Sequence, residues 1–142
     1  MDVVFMNSKD TMQRWGRASQ LLMPAIKLAR GDYSINDLQS MTECGKVITA
    51  LVVENEKPIT AIAFEFAHYP QTLTVNIIAI GGRSLKKVWY AFSKQFQEWC
   101  RMAGASKIEV TCGSAMARML SGIGFAKAYE VVEFDLMEVS HG

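Results

Sequence analysis

The amino-acid sequence predicts an α+β fold in which a mixed, mostly antiparallel sheet is flanked by helices. Lys46–Val53, Pro58–His68 and Thr72–Ile80 are β-rich and separated only by short turns, which is typical of an antiparallel meander. A long amphipathic helical pattern then separates Thr72–Ile80 from another β-rich stretch, Lys107–Thr111. Two strands joined through a helix run parallel with a right-handed crossover, so we expect them to be neighbours that diverge near Ile80.

Composition limits the kind of protein this is. The chain has 142 residues, of which 50% are apolar, so a single domain spanning residues 1–142 is expected. Its net charge of +1 and scattered basic residues argue against a surface for nucleic acid or acidic membranes. No apolar run approaches the ~20 residues of a membrane-spanning helix, and no secretory signal is recognisable. Three widely spaced cysteines fit neither a disulfide framework nor a metal site, so we expect a reduced, cytoplasmic protein without a metal.

The first third of the chain predicts a short strand and two helical regions. Val3–Phe5 is the strand, and a helical pattern follows it. Pro24 interrupts this pattern because it lacks an N–H donor, which predicts a kinked helix or two helices ending at Gly31. Ser34–Asp37 resembles a capping box and starts the second helical region, which Gly45 ends.

A turn made of Gly81, Gly82, Arg83 and Ser84 precedes the long helix. Ser84 is a natural N-cap, and Gly104 is a natural residue beyond the helix C-terminus. The apolar stripe of this helix comprises Leu85, Val88, Trp89, Phe92, Phe96, Trp99 and Ala103. Unpaired N–H groups and the helix dipole make the turn suitable for a phosphate or pyrophosphate, to which Arg83 adds a cation. The same residues also fit a simple tight turn with a surface arginine.

After the long helix, the sequence predicts the strand Lys107–Thr111, a short helix at Ser114–Ser121 and a final β segment at Phe125–Val139. Together with the earlier elements, this order resembles that of the GNAT N-acetyltransferase superfamily. Gln97–Gly104, with the strand after it, is similar to the family's helix end and next strand, and Ala115–Phe125 is similar to its short helix closing on Gly-Phe. More weakly, the chain is similar to small virion-associated proteins of short-tailed phages, some of them acetyltransferase-like.

The resemblance implies that acetyl-CoA lies between two splayed parallel strands and that an amine attacks its thioester directly. By position, the backbone of Ile78, Ala79 and Ile80 would contact the pantetheine arm, while the turn from Gly81 to Ser84 would face the pyrophosphate. A base removes the proton of the amine, and an acid near the short helix protonates the leaving thiolate. The acceptor amine is not identified by the resemblance.

The chain departs from the family pattern at three places. The family loop reads Gln or Arg, two residues, Gly, one residue, then Gly or Ala, and the loop that begins at Gly81 is shorter and does not fit. The family often has a Tyr five residues before the Phe of Gly-Phe, where this chain has Leu120, which cannot donate a proton. An Asn common near the start of the short helix is replaced around Gly113 and Ser114.

Three residues are candidates for the catalytic acid and base. Glu65 lies in an apolar strand, where burial would raise its pKa towards that of a useful base, although it also fits a surface acid on an edge strand. Glu109 alternates with apolar residues and faces either the strand seam or solvent. Tyr129 is a substitute for the missing tyrosine, or a packed strand residue. His68 and Cys112 are weaker candidates for a catalytic role. His68 also fits a surface histidine at a strand end, and Cys112 also fits a small buried thiol.

Two functional hypotheses follow. The chain is a GNAT-fold protein related to acetyl-CoA-dependent N-acyltransferases, transferring an acyl group to an unidentified amine. Alternatively, it is a catalytically silent GNAT-fold protein that acts through protein contacts, such as a phage virion or host-interaction component, located in the host cytoplasm or the virion. The altered loop and Leu120 favour the second hypothesis, and the order of elements favours the first.

Overall fold

The structure is a computed structural model that describes residues 1–27 and 32–137. Its strands are β1 (Asp2–Phe5), β2 (Ile48–Glu54), β3 (Lys57–His68), β4 (Leu73–Gly82) and β5 (Lys107–Val110). Its helices are α1 (Lys9–Met12), α2 (Trp15–Lys27), α3 (Ile35–Glu43), α4 (Leu85–Met102) and α5 (Ser114–Ser121). No helix in these two ranges is both long enough and apolar enough to cross a membrane.

The five strands form one mixed sheet in the order β1-β2-β3-β4-β5. The first three neighbouring pairs are antiparallel, as expected for a meander, and β4 and β5 are parallel. The predicted α+β fold class and the parallel pair joined through α4 are therefore confirmed. Parallel pairing requires a long crossover connection, and the 18 residues of α4 supply it.

Helices cover both faces of the sheet, because successive apolar side chains of the strands point to opposite faces. On β3, Ala61 and Ala63 face a core cluster that includes residues of α2 and α3, such as Leu22 and Leu38. Phe64 faces the opposite cluster, which lies beneath α4 and also contains Val75, Ile77 and Cys100. Burial of two faces explains why the central strands read as nearly continuous apolar runs.

The long helix α4 is held on the sheet by aromatic packing. The ring of Phe64 lies 5.3 Å from that of Phe96 and 5.8 Å from that of Trp99, both in edge-to-face geometry. Gly104 follows the helix with φ +94°, the left-handed conformation expected beyond a helix C-terminus. The prediction that Ser84 caps the helix is wrong, because Ser84 has φ +59° and its side chain makes no capping hydrogen bond.

The N-terminal helical region is divided in two, but not where Pro24 predicts. The break lies between α1, which ends at Met12, and α2, which begins at Trp15, while Pro24 is inside α2. Pro24 removes one donor to the carbonyl of Gln20, and both residues line a cavity in which solvent can satisfy that carbonyl. The predicted end at Gly31 lies outside the described residues.

The capping box before α3 is confirmed. The Ser34 N–H donates to the Asp37 carboxylate at 2.8 Å, and the Asp37 N–H donates to the Ser34 hydroxyl at 3.0 Å. The backbone hydrogen bond from Ser34, followed by its side-chain hydrogen bond, holds the pKa of Asp37 below its ordinary value. This cap fixes where α3 begins and therefore the position of Tyr33, which directly precedes the cap.

The predicted final β segment is wrong for the residues that the structure describes. Phe125–Met137 contains no strand, and every residue from Ala126 to Met137 is exposed. A strand requires a hydrogen-bonding neighbour, and no described strand pairs with this segment, so its β-rich composition alone does not produce one. The remaining residues of the prediction, up to Val139, lie outside the described ranges.

The close packing of α2 against β4 predicts a position-specific effect of adding a methyl group. A Cβ at Gly81 would lie 2.0 Å from the Leu21 carbonyl oxygen, which belongs to the backbone and cannot rotate away. We expect Gly81→Ala to lower the free energy of unfolding by about 1–3 kcal/mol or more, measured by urea denaturation.

Gly16→Ala is the matched control for this substitution. Gly16 lies in α2 and has no atom within 4 Å of its added Cβ, so the change should be neutral or stabilise by up to about 1 kcal/mol. Equal effects at the two positions would contradict the packing argument.

Candidate functional site

The two parallel strands separate at one end of the sheet. Their register runs from Thr74 opposite Lys107 to Ile77 opposite Val110, and β5 ends there. β4 continues to Gly82 and remains paired with β3 on its other side. In the described part of the chain, the β4 edge from Ile78 to Gly82 therefore has no strand partner on the β5 side.

A β-bulge marks the place where the strands separate. Ala63 of β3 pairs with Ala79, but the next residue, Phe64, pairs with Ile77, so Ile78 is the extra residue of β4. Both Ile78 and Ala79 consequently pack toward the cluster beneath α2. A bulge bends its strand and increases the local twist, which explains why β4 leaves β5 at this point.

A cavity of about 430 Å³ occupies the opening. Its walls come from α2, the free edge of β4, the end of β5 and α5, namely Gln20, Leu21, Pro24, Ala25, Ile78, Ala79, Ile80, Gly81, Gly82, Val110, Thr111, Cys112, Gly113 and Met116. Five of the residues that the resemblance assigns to cofactor contacts, Ile78 to Gly82, thus lie on one wall. Arg83 and Ser84 do not line it. We call this cavity the seam cavity.

The two glycines are strand residues rather than turn residues. Gly81 pairs with Ala61 and Gly82 pairs with Thr60, so only Arg83 and Ser84 connect β4 to α4. The predicted four-residue turn is therefore too long. Gly82 has φ +121°, and a Cβ there would lie 2.2 Å from the Ile59 carbonyl oxygen, so glycine is required on both grounds.

The groups available to an anion at the start of α4 differ from those that the sequence predicts. The Arg83 N–H donates to the Ile59 carbonyl at 2.7 Å, so this amide is not available to a ligand. Helical hydrogen bonding begins with the Val88 N–H donating to Ser84 at 3.0 Å, which leaves the earlier N–H groups of the first turn without a helical partner. The side chains of Arg83 and Lys86 are exposed beside them. Sequence reasoning missed Lys86 because it lies beyond the glycine turn.

Lys87, the other cation of this turn, is already paired. Its ammonium lies 2.8 Å from the Glu54 carboxylate, and the hydrogen bond from Lys87 lowers the pKa of Glu54 below its ordinary value. This pair ties the start of α4 to the end of β2. Of the two lysines in the first turn, Lys86 is thus the one for which we expect contact with an anion.

Glu65 and Glu109 lie in one polar row across three strands. Glu65 is opposite Asn76, and Asn76 is opposite Glu109, so the three side chains share the face of the sheet toward α2. The Asn76 amide donates to the Glu65 carboxylate at 3.2 Å, and Lys107 lies 3.1 Å from the Glu109 carboxylate. The sequence did not indicate Asn76 as a site residue, because its polar neighbours lie on other strands and are distant in sequence.

The position of Glu65 excludes one interpretation of it. β3 is the middle strand of the sheet, so Glu65 is not a surface acid on an edge strand. Tyr33, just before α3, is close enough for the charge of Glu65 to affect it. Burial, then the charges of Glu65 and Asp32, raise the pKa of Tyr33 above its ordinary value.

The other candidate residues are dispersed. Tyr129 is 63% exposed in the segment after α5 and lies outside the seam cavity. Leu120 is 5% exposed, and the residue of α5 that lines the cavity is Met116, one turn earlier. Cys112 lines the cavity, but the expectation of a buried thiol there is wrong, because the residue is exposed. Partial desolvation in the cavity wall still raises the pKa of its thiol. His68 is exposed at the end of β3, and the described residues contain no His, Cys, Asp and Glu group suited to a metal.

Several solved structures with this architecture are described as acetyltransferases. A protein from Clostridium acetobutylicum described as a predicted acetyltransferase, solved with acetyl-CoA, matches with a TM-score of 0.68 and 12% identity over 99% of this chain and 100% of that chain. An aminoglycoside 6′-N-acetyltransferase from Acinetobacter haemolyticus matches with a TM-score of 0.67 and 15% identity over 99% and 100% of the chains. The chain has the GNAT fold.

A third match within the GNAT fold is a ribosomal-protein-alanine N-acetyltransferase from Brucella melitensis biovar Abortus 2308. Its TM-score is 0.65 at 10% identity, over 94% of this chain and 100% of that chain. No protein-family model matches the sequence, and no curated protein matches it significantly. The three structures give no support to the expectation of a virion-associated protein.

The electrostatic effect of Glu65 on Tyr33 predicts a measurable change in titration. Glu65→Gln removes a negative charge that disfavours the tyrosinate, so the pKa of Tyr33 should fall, yet stay above its ordinary value because burial remains the largest cause. Asp32→Asn should lower it by less, since Asp32 is the smallest of the three causes. NMR titration of the Tyr33 ring checks both variants.

Glu109→Gln is the control for this titration. Glu109 lies in the same polar row but is not among the causes of the Tyr33 shift, so this variant should leave the titration unchanged. A Tyr33 pKa that does not respond to Glu65→Gln would show that the two groups are farther apart than the structure has them.

Proposed function

We propose that this protein binds acetyl-CoA in the seam cavity and transfers the acetyl group to an amine. The observation that carries the proposal is the free edge of β4 at the Ile78 bulge, which forms one wall of a 430 Å³ cavity. This volume falls within the roughly 300–1,000 Å³ of small-molecule sites. It suits the acyl-pantetheine end of the ligand, with the nucleotide end outside toward α4.

The free strand edge suits the pantetheine arm chemically. Backbone groups of Ile78, Ala79 and Ile80 that face away from β3 have no strand partner among the described residues. The amides of an extended ligand can hydrogen-bond with such an edge as an added strand does. The apolar residues Leu21, Ala25 and Met116 then cover the methylene groups. The residues present thus fit the ligand.

The start of α4 suits the pyrophosphate. Its first-turn N–H groups point away from the helix, and the helix dipole favours an anion there. Exposed Arg83 and Lys86 supply cations on either side of Ser84 and Leu85. With only two residues between β4 and α4, the helix end and these cations replace the longer loop that the family pattern contains.

Glu65 is the base that we propose for the acceptor amine. On β4, its partner Asn76 precedes the Ile78 bulge by two residues, so Glu65 and Ile78 are diagonal neighbours roughly 7–8 Å apart between their Cα atoms. Glu65 itself does not line the seam cavity, so we propose that water carries the proton of the amine to its carboxylate. Glu109 is the weaker candidate, because Lys107 already neutralises its carboxylate.

In the proposed reaction, the amine nitrogen forms a bond with the acetyl carbon and the carbon–sulfur bond breaks. The amine proton passes to Glu65 through water, and the released thiolate takes a proton. Leu120 cannot supply that proton. The exposed Cys112 thiol lines the seam cavity, and partial desolvation raises its pKa, which favours the protonated form. It is the side-chain donor that we propose.

A second candidate function is supported by specific observations. Buried Leu120 stands where the family pattern has an acid, and the connection before α4 has only two residues. A GNAT fold without turnover that acts through protein contacts would tolerate both features. Ligand binding and turnover separate the two candidates experimentally, because only the first requires both.

Acetyl-CoA should stabilise the folded protein. Binding at ~100 times Kd adds roughly 2.7 kcal/mol to the free energy of unfolding, which raises Tm by several degrees in a domain of this size. Arg83→Ala and Lys86→Ala should each reduce the rise in Tm by removing a charge-assisted contact with phosphate. Lys94→Ala, an exposed cation on the same helix, is the matched control and should leave it unchanged. A thermal melt unaffected by millimolar acetyl-CoA would reject the binding site.

Glu65→Gln should lower the rate of acetyl transfer by about 100-fold or more, because the amine loses its general base. Transfer from acetyl-CoA to lysine, spermidine and an alanyl peptide is followed by mass spectrometry. The variant should still show the rise in Tm with acetyl-CoA, and Glu98→Gln, on the exposed side of α4, should retain the wild-type rate. Binding without transfer to any amine in the wild type would favour the second candidate function.

A further inference from the structure

The proline inside α2 has no part in the proposed reaction so far. Pro24 lies in the interior of a 13-residue helix, where it cannot donate a hydrogen bond to the carbonyl four residues earlier, that of Gln20. Proline is the residue least compatible with a helix interior, and alanine is the most compatible. A residue that lowers helix stability in the wall of a cavity is a candidate for a functional role.

The turn of α2 that contains this carbonyl faces the free edge of β4. Gln20 and Pro24 both line the seam cavity, together with the β4 residues from Ile78 to Gly82. Between them, the backbone of α2 approaches β4 closely, because a Cβ at Gly81 would lie 2.0 Å from the Leu21 carbonyl oxygen. A backbone group of this turn is therefore within reach of a ligand that occupies the cavity.

The Gln20 carbonyl is directed toward the reacting end of the seam cavity. Each carbonyl of a helix points toward the residue four positions later, so that of Gln20 points toward Pro24. Ala25, the next residue, packs against the same core cluster as Ile78, the bulged residue of β4. The carbonyl and the bulge thus lie toward the same end of the cavity, the end nearer to the proposed base Glu65.

A backbone carbonyl suits the amine that the reaction requires. The amine attacks through its lone pair, so a group that holds it must accept from an N–H and must not donate to the nitrogen. A carbonyl accepts hydrogen bonds and has no proton to donate. In the proposed function, the pantetheine arm has the edge of β4 and the pyrophosphate has the start of α4. The acceptor amine is the ligand group whose N–H donors still lack a partner.

We propose that Pro24 leaves the Gln20 carbonyl free to accept a hydrogen bond from the acceptor amine, which orients the amine lone pair toward the acetyl carbon. This inference rests on the proposed function, because it assigns a partner to the amine of that reaction. Gln20 contacts the amine through its backbone. Pro24 is a positioning residue, since it acts only by withholding the helical donor from that carbonyl.

The test follows the Gln20 carbonyl carbon of the full chain by NMR. Lysine, spermidine or an alanyl peptide is added in the presence of CoA, which carries no acetyl group. At least one amine should shift this signal in the wild type, and choline, a cation without an N–H, should not. Pro24→Ala restores a helical donor that competes for the carbonyl, so the Kd of that amine should rise about 3–10-fold, as expected for one hydrogen bond.

The same variant separates binding of the amine from binding of the cofactor. In the transfer assay, Pro24→Ala should raise the KM for the amine by the factor that NMR gives for its Kd. The rise in Tm caused by acetyl-CoA should stay unchanged, because the proposed cofactor contacts lie on β4 and α4.

Two controls separate the carbonyl from the shape of the helix. Lactic acid incorporated in place of Pro24 has the side chain of alanine and an ester oxygen instead of the N–H, so amine binding should stay at the wild-type level. Gly16→Ala changes α2 outside the seam cavity and should also leave binding unchanged. Pro24 is exposed and both of its replacements fit a helix interior, so both variants should fold.

Several results would overturn the inference. One is a Gln20 signal that responds to no amine, even if acetyl transfer occurs, and another is a signal that CoA shifts and an amine does not shift further. Amine binding that is unchanged by Pro24→Ala, or weakened equally by the ester, would also overturn it, since the N–H at position 24 would then have no effect. An amine-induced shift without any acetyl transfer would support the inference and count against the proposed transfer.

Discussion

The candidate site depends on the limited length over which β4 and β5 pair. Four residue pairs hold the parallel strands together, and the extra residue Ile78 then bends β4 away. β3 keeps its pairing with β4 beyond the bulge, so the strand stays rigid while one of its edges becomes free. A fixed strand with a free edge is the physical basis of the seam cavity, and it arises from register rather than from any particular side chain.

The packing of α2 closes the other side of the seam cavity. Gly81 lets the backbone of α2 approach β4 so closely that a methyl group would meet the Leu21 carbonyl oxygen. The same approach brings Gln20, Leu21 and Pro24 into the cavity wall. This one contact therefore contributes both to the stability of the fold and to the shape of the cavity. It also explains why a glycine that resembles a loop residue in sequence is a packing residue in the structure.

The polar groups of the site come together through the sheet. Glu65, Asn76 and Glu109 are far apart in sequence, yet the register of β3, β4 and β5 places them in one row on the face toward α2. Their partners then differentiate the two acids, because Asn76 donates to Glu65 while Lys107 neutralises Glu109. This difference in partners assigns the proposed base, and the connection of only two residues before α4 shifts the proposed anion contacts to Arg83 and Lys86.

The sequence by itself determined the fold class, the meander, the crossover through α4 and the bounds of α5, because these follow from local periodicity, capping and connection length. Its resemblance to the GNAT superfamily also grouped Ile78 to Gly82 as residues expected to contact the cofactor. Only the tertiary structure decided that Ile78 is bulged, that Gly81 and Gly82 lie in a strand and that Glu65 is central. It also decided that residues 126–137 have no strand partner in the described part of the chain. Register, close approach and the presence of a neighbouring strand are relations between distant segments, and no local pattern encodes them.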